Sequence, residues 1–337
     1  MNMFMMFCLL PLIVLVSFIG FLLSSFLNLW LFLEISGLLF LVMLMNFSKY
    51  NSLKGSVSVI IYYLVQVISS SLLLISVLYV EYLDINSILS ILMIFIMLIS
   101  LLMKLGIFPF HFWVPLIMKN LSWILNYVLM TYMKIIPLIM MMNLRLLLDL
   151  MMVLIIMSSM VSVFMSMKQI SLKLIYSYSS INHTSWMVMS VLFFKDLFYI
   201  YYFIYILILL MLILFMEFYS LEYITDFSYL FMYNLKMYMI YYVNLILGMG
   251  GLPLFLGFIM KWMVIYSLIS VWGYIFIYFM IFFSVLMIWV YIRMGMYLLY
   301  IEMGVIKNLY IYDCSMNWKF MIVVILVMFL SYLLMYL

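Results

Sequence analysis

Four ionisable residues lie deep inside apolar stretches of this chain: Glu34, Lys104, Lys134 and Lys261. Glu34 sits in Trp30-Leu31-Phe32-Leu33-Glu34-Ile35-Ser36-Gly37, and Lys134 lies between Met133 and Ile135 with Pro137 close behind. A carboxylate or ammonium in hydrocarbon is costly, so one that persists there has ion or proton movement as its default reading. The chemistry is that of a relay. Burial favours a neutral amine and a nearby carboxylate favours the ammonium, so any rearrangement around such a pair loads or unloads a proton. Duller readings stand beside this one: Glu34 as a plain partner for a lysine on a neighbouring helix, and Lys261, beside Trp262, as an interfacial anchor. His111 and His183 read either as relay groups or as neutral imidazoles hydrogen-bonded across helices. Gln66, with Ser69 to Ser71 beyond it, reads as a group that closes helices together or holds water.

The elements that must carry these residues are predicted to be broken in two places. The apolar run from Ile88 to Met118 holds 31 residues. As one helix it would be about 46 Å long against a hydrocarbon core of about 30 Å. Gly106 and Pro109, in Lys104-Leu105-Gly106-Ile107-Phe108-Pro109-Phe110-His111-Phe112-Trp113, mark the predicted interruption, because proline removes a backbone donor and forces the preceding residue out of the helical region. Gly248-Met249-Gly250-Gly251-Leu252-Pro253 predicts a second, just before Lys261. Non-helical backbone at membrane depth is tolerated only where protein or a cavity surrounds it. Two glycine- and proline-interrupted segments in one chain are the mark of transporters that bind at the midplane.

Composition agrees. Of 337 residues, 72% are hydrophobic and 7% charged, where a soluble domain carries about 25% charged. The reading is an all-α integral membrane protein. Apolar runs of spanning length fall near 4–24, 26–45, 57–79, 88–118, 121–142, 146–166, 170–192, 197–217, 237–262, 270–292 and 318–337, giving about eleven spans with 88–118 and 237–262 broken. The longest polar connections, about 218–236 and 294–317, are too short for a soluble domain, so residues 1–337 read as one polytopic membrane domain. The first run, Met3 to Leu23, lacks a basic leader and a small-residue cleavage site and reads as a retained span. No G-x-G-x-x-G or C-x-x-C occurs, and Cys8 and Cys314 have no metal-site or disulfide spacing. Hard redox chemistry, if it occurs at all, is therefore expected elsewhere. The formal charge of +4 does not point to nucleic acid. Forty Met, 30 Tyr, 29 Phe and no Ala fit the codon bias of an AT-rich organellar genome better than any demand of the bilayer.

Charge also predicts orientation. Connections after even-numbered spans hold Lys49, Lys54, Lys119, Lys168, Lys173, Lys236, Arg293, Lys307 and Lys319, whereas those after odd-numbered spans hold only Arg145 and Lys195. The basic connections and the N-terminus are expected on the positive side of the membrane and the C-terminus on the other.

At these motifs the chain resembles the antiporter-like membrane subunits of respiratory complex I. The resemblance rests on Lys104 to Trp113, Trp30 to Ser36, Tyr63-Leu64-Val65-Gln66, Met130 to Pro137, Tyr178-Ser179-Ser180-Ile181-Asn182-His183, and Gly250-Gly251-Leu252-Pro253 through Lys261-Trp262, and covers about residues 28–265. It implies a proton-translocating subunit in the mitochondrial inner membrane, its N-terminus on the matrix side and its C-terminus on the intermembrane-space side. Glu34 is implied to pair with Lys104, with Lys134 the central lysine and Lys261 the terminal one. NADH, FMN, iron–sulfur clusters and ubiquinone are implied in other subunits, with no cofactor in this chain. The implied partners are the other membrane subunits and inner-membrane lipids, and no nucleic acid. Ser36 stands where the family often has asparagine, and Leu254 where it often has a second proline. A stand-alone cation/proton antiporter shares the fold and the lysines and remains the alternative; a structural subunit with silent charges is a third reading.

Overall fold

A computed structural model describes residues 2–48, 52–82, 88–142, 144, 148–227, 236–252, 255–269 and 274–305. The expected last span, 318–337, and Pro253, Cys314, Lys49, Arg145, Lys307 and Lys319 lie outside them. The described elements are helical and include no strand. In order they are α1 (Asn2–Ile19), α2 (Phe26–Ser48), α3 (Ser52–Tyr82), α4 (Ile88–Leu105), α5 (Trp113–Met118), α6 (Trp123–Met130), α7 (Tyr132–Met141), α8 (Leu148–Met167), α9 (Leu172–Phe193), α10 (Lys195–Tyr219), α11 (Lys236–Gly250), α12 (Leu256–Ile269) and α13 (Tyr274–Val305). In a helix each backbone donor and acceptor finds its partner inside the segment, which is what a long apolar run in lipid requires. The serines within these spans follow the same rule: Ser69, Ser76, Ser100 and Ser158 each donate to the carbonyl three residues back.

Among the described residues six stretches are long and apolar enough to cross a membrane: Phe26–Asn46, Gly55–Glu81, Trp123–Met141, Leu148–Met167, Lys195–Phe218 and Phe276–Gly295. Shorter apolar helices occupy Cys8–Leu22, Leu89–Leu105, Met239–Gly250 and Leu256–Leu268. Helix α9, which carries Asn182, His183 and a run of serines, is absent from both groups because its polar residues lower its hydropathy.

The chain divides into two compact units. The first, Met1–Val161 with Ser180–Lys195, packs α3 against α2, α4 and α5, and sets α7 against α1, α2 and α4. The second, Ser162–Ser179 with Asp196–Leu337, packs α11 against α12 and α13. In this unit the connection after α10 is clasped to the start of α9. Leu172 donates its amide to the Glu222 carbonyl at 2.9 Å, Ile224 donates to Ile170 at 3.3 Å, and Asp226 Oδ2 accepts from the amides of Glu222 and Tyr223. Arg293 of α13 spends its guanidinium on the end of α8, donating to the carbonyls of Met167, Ser166 and Gln169.

Candidate proton-relay site

Helix α4 ends at Leu105, and Gly106 follows it. Gly106 has φ +67°, its amide donates to Met103 at 3.3 Å, and the Ile107 amide reaches back to Leu102 at 3.2 Å. This is a glycine-terminated helix end of the Schellman type, which needs a left-handed residue. A Cβ at Gly106 would also run into the Val114 side chain. Residues 106–112 are non-helical, the Phe108–Pro109 bond is cis, and α5 begins at Trp113. The indole of Trp113 donates to the Met103 carbonyl at 2.9 Å, a second and shorter hydrogen bond to the acceptor that the Gly106 amide also reaches.

Lys104 therefore lies in the last turn of α4, at the negative end of the helix dipole, where a cation is favoured. Its Nζ donates to Glu34 Oε1 of α2 at 3.4 Å, with the two side chains 7% and 24% exposed. Beside this pair is a cavity lined by Ser36, Gly37, Tyr62, Gln66, Lys104 and Lys134, among others. The Gln66 amide lies directly over Gly37, so that any side chain at Gly37 would displace it. Gln66 Oε1 is buried without a hydrogen-bond partner.

Lys134 enters the cavity from an irregularity that the sequence reading missed. The expected span 121–142 is two helices, α6 and α7, joined at Thr131, whose φ and ψ are −111° and −90°. Thr131 Oγ1 donates to the Tyr127 carbonyl at 2.6 Å and the Lys134 amide donates to the Thr131 carbonyl at 2.8 Å. Lys134 is thus in the first turn of α7, 3% exposed, with its Nζ donating to the Ser180 carbonyl at 3.4 Å. No glycine or proline marks Thr131, and Pro137, the nearest breaker, sits inside α7. Asn126, also not singled out in the sequence, donates to the Met118 carbonyl at 3.0 Å and caps α5.

Of the remaining expected site residues, His111 is buried with its ring against Phe108 and Phe112. His183 is buried within α9. In the second unit, α11 ends at Gly250, and Gly251 has φ +84°, with the amides of Gly251 and Leu252 both donating to the Leu247 carbonyl. Lys261 of α12 is 5% exposed and donates to the Gly250 carbonyl at 2.6 Å. Lys173, expected in a connection, is the second residue of α9, where it is buried and pairs with Glu222 at 2.6 Å.

The arrangement is thus one glutamate–lysine pair and a second buried lysine around one cavity, with a third buried lysine capping a helix end in the other unit. A family profile described as the transmembrane NADH:quinone oxidoreductase/Mrp antiporter family matches residues 24–287. The chain belongs to this family. Relatives within it include the NADH-ubiquinone oxidoreductase chain 2 of Anopheles gambiae, 34% identical over 74% of this chain and 72% of the relative. That of Aedes aegypti is 35% identical with the same coverage, and that of Locusta migratoria is 32% identical over 73% and 71%. The family fold recurs in a chain of respiratory complex I from Thermus thermophilus, with TM-score 0.75 and 16% identity over 91% of this chain and 73% of that one. It recurs again in a chain of the Mrp complex from Dietzia sp., with TM-score 0.74 and 14% identity over 85% and 59%.

Proposed function

We propose that this family member is a proton-translocating membrane subunit of respiratory complex I, acting within a NADH:ubiquinone reductase whose redox centres lie in neighbouring subunits. The observation that carries the reading is the Glu34–Lys104 pair at the end of α4, sharing its cavity with Lys134. A pair of this kind has two charge states that differ by one proton. Anything that moves Glu34 away from Lys104, or opens the cavity to water, changes which state is favoured; Lys134, lining the same cavity, is the next acceptor. Lys261 serves as the last titratable group of the row. The names borne by its relatives support the assignment to complex I, and membership of the family supports the proton chemistry.

On this reading the chain is one polytopic domain of about eleven spans. The 88–118 and 237–262 segments act as discontinuous transmembrane helices, with Gly106/Pro109 and Gly250/Gly251/Pro253 forming the breaks. His111, His183 and Gln66 lie along or beside the relay. The membrane is the mitochondrial inner membrane, with the basic connections and the N-terminus facing the matrix, and the partners are the other membrane subunits and the lipids around them.

The likeness to the Mrp complex chain favours one rival, a stand-alone cation/proton antiporter. Native gel electrophoresis of solubilised membranes followed by mass spectrometry separates the two. Comigration with flavin- and iron–sulfur-bearing subunits is the expected result. Migration alone, or with other transporter subunits only, would establish the antiporter.

A further inference from the structure

The second unit contains a set of buried hydroxyls that the lysine row does not use. Tyr176 of α9 and Tyr242 of α11 face each other with their hydroxyl oxygens 3.0 Å apart. Tyr291 of α13 is buried near Ser179 of α9 and within electrostatic reach of both tyrosines, and its hydroxyl makes no direct hydrogen bond. Its ring also packs on the end of α11, where a Cβ added at Gly250 would lie 3.1 Å from Tyr291 Cδ2. The Gly250 carbonyl is the group to which Lys261 donates. At the other end of the set, Lys173 lies one turn before Tyr176 on α9 and holds Glu222 at 2.6 Å; the side chains of that pair are 10% and 54% exposed. Along α9 the order is therefore Lys173, Tyr176, Ser179, at helical spacing, with each step about 4.5 Å along the axis.

A hydroxyl can accept a proton on its oxygen while releasing its own, so a file of hydroxyls conducts protons without storing charge. Tyrosine is poorly suited to a dry apolar core unless its hydroxyl finds a partner. Tyr242 packs against the rings of Phe215 and Phe227, at centroid distances of 5.2 and 4.7 Å, and its hydroxyl finds its partner in Tyr176. We propose that Glu222, Lys173, Tyr176, Tyr242, Ser179 and Tyr291 form a proton path joining the half-exposed Glu222 carboxylate to Lys261. In each passage Glu222 takes a proton from water and Lys173 passes one inward. The hydroxyls hand it on by accepting one proton and releasing another, and Lys261 receives it as its bond to the Gly250 carbonyl lets go. Bridging water completes the steps longer than a direct hydrogen bond. By the basic-residue asymmetry the Glu222 end faces the matrix, so this is an uptake path. It rests on the proton-pumping reading above and deepens it.

The test is made in the assembled complex in sealed vesicles, comparing Tyr176→Phe/Tyr242→Phe and, separately, Glu222→Gln with the unaltered chain and with Lys104→Met. The tyrosine pair loses two oxygens and keeps its rings, and Glu222 is at the surface, so one variant probes the middle of the path and the other its mouth. The expected result is a several-fold loss of protons translocated per electron pair in both, with a changed solvent-deuterium isotope effect on turnover. Normal translocation in the Glu222 variant, or in the tyrosine variant where it assembles, would overturn the path. If Lys104→Met abolishes translocation while those two leave it intact, the path fails and the pump reading survives; if Lys104→Met also has no effect, the pump reading itself fails.

Discussion

Lys261 donates a 2.6 Å hydrogen bond to the carbonyl of Gly250, the last residue of α11, from a position 11 residues further along the chain. The chain must reverse closely for a side chain on α12 to reach the end of the helix before it. What permits this is absence of side chains: at Gly257 an added Cβ would strike the Gly248 carbonyl, and at Gly251, with φ +84°, it would lie 3.1 Å from the Gly257 carbonyl. Lys104 stands in a like relation to α4, as the basic residue of its last turn. In both places a lysine side chain sits where a helix dipole ends and a glycine turns the backbone away.

Gly257→Ala is therefore expected to destabilise this segment by about 1–3 kcal/mol, as overpacking against rigid backbone does. Gly248→Ala is expected to be mild, since its nearest neighbour would be Phe255 Cδ1 at 3.9 Å. The yield of assembled complex on native gels compares the two, and equal yields would contradict the close approach of α11 and α12.

Replacing Trp113 by Phe removes the indole donor from the Met103 carbonyl while keeping an aromatic ring. The loss should be about 1 kcal/mol, the net worth of one buried hydrogen bond, read as a lower midpoint in thermal unfolding of the purified complex. An unchanged midpoint would mean that the Gly106 amide alone satisfies the Met103 carbonyl.

For the Glu34–Lys104 pair the expected signature is non-additivity. Glu34→Gln and Lys104→Met should each lower coupled turnover, and the double variant should be no worse than the more severe single. The coupling between the two should lie in the range of about 0.5–3 kcal/mol found for residues in one network. Strictly additive losses would mean that the two act apart.

Much of the site was legible because the signals were local. Glycine and proline announced the turn at Gly106, and an ammonium inside an apolar run announced itself. What escaped the sequence depends on partners far along the chain. The interruption at Thr131 carries no breaker residue; its backbone departs from helix where Thr131 Oγ1 bonds back to Tyr127. Lys173 read as a residue of a connection because its partner Glu222 lies 49 residues away, and Arg293 read likewise although it caps α8 from 124 to 127 residues away. Tyr62 and Asn126 were lost among many aromatic and polar residues with no spacing to distinguish them.

Topology offers an independent check. Lys119 and Lys195 are both exposed, and the basic-residue asymmetry places them on opposite faces of the membrane. With Lys119→Cys and Lys195→Cys made separately, a membrane-impermeant maleimide added to mitochondria stripped of the outer membrane should label Cys at 195 and spare Cys at 119, judged against the unsubstituted chain. The reverse pattern would invert the orientation.

The central claim is that the buried lysines carry protons. Lys104→Met, Lys134→Met and Lys261→Met keep apolar bulk and delete the titratable group, so packing should largely survive. Protons translocated per electron pair, measured in sealed vesicles with each variant in the assembled complex, should fall, and NADH–quinone turnover should fall with them because the two are coupled. Three variants that assemble and keep the unaltered stoichiometry and turnover would show that these charges are structural.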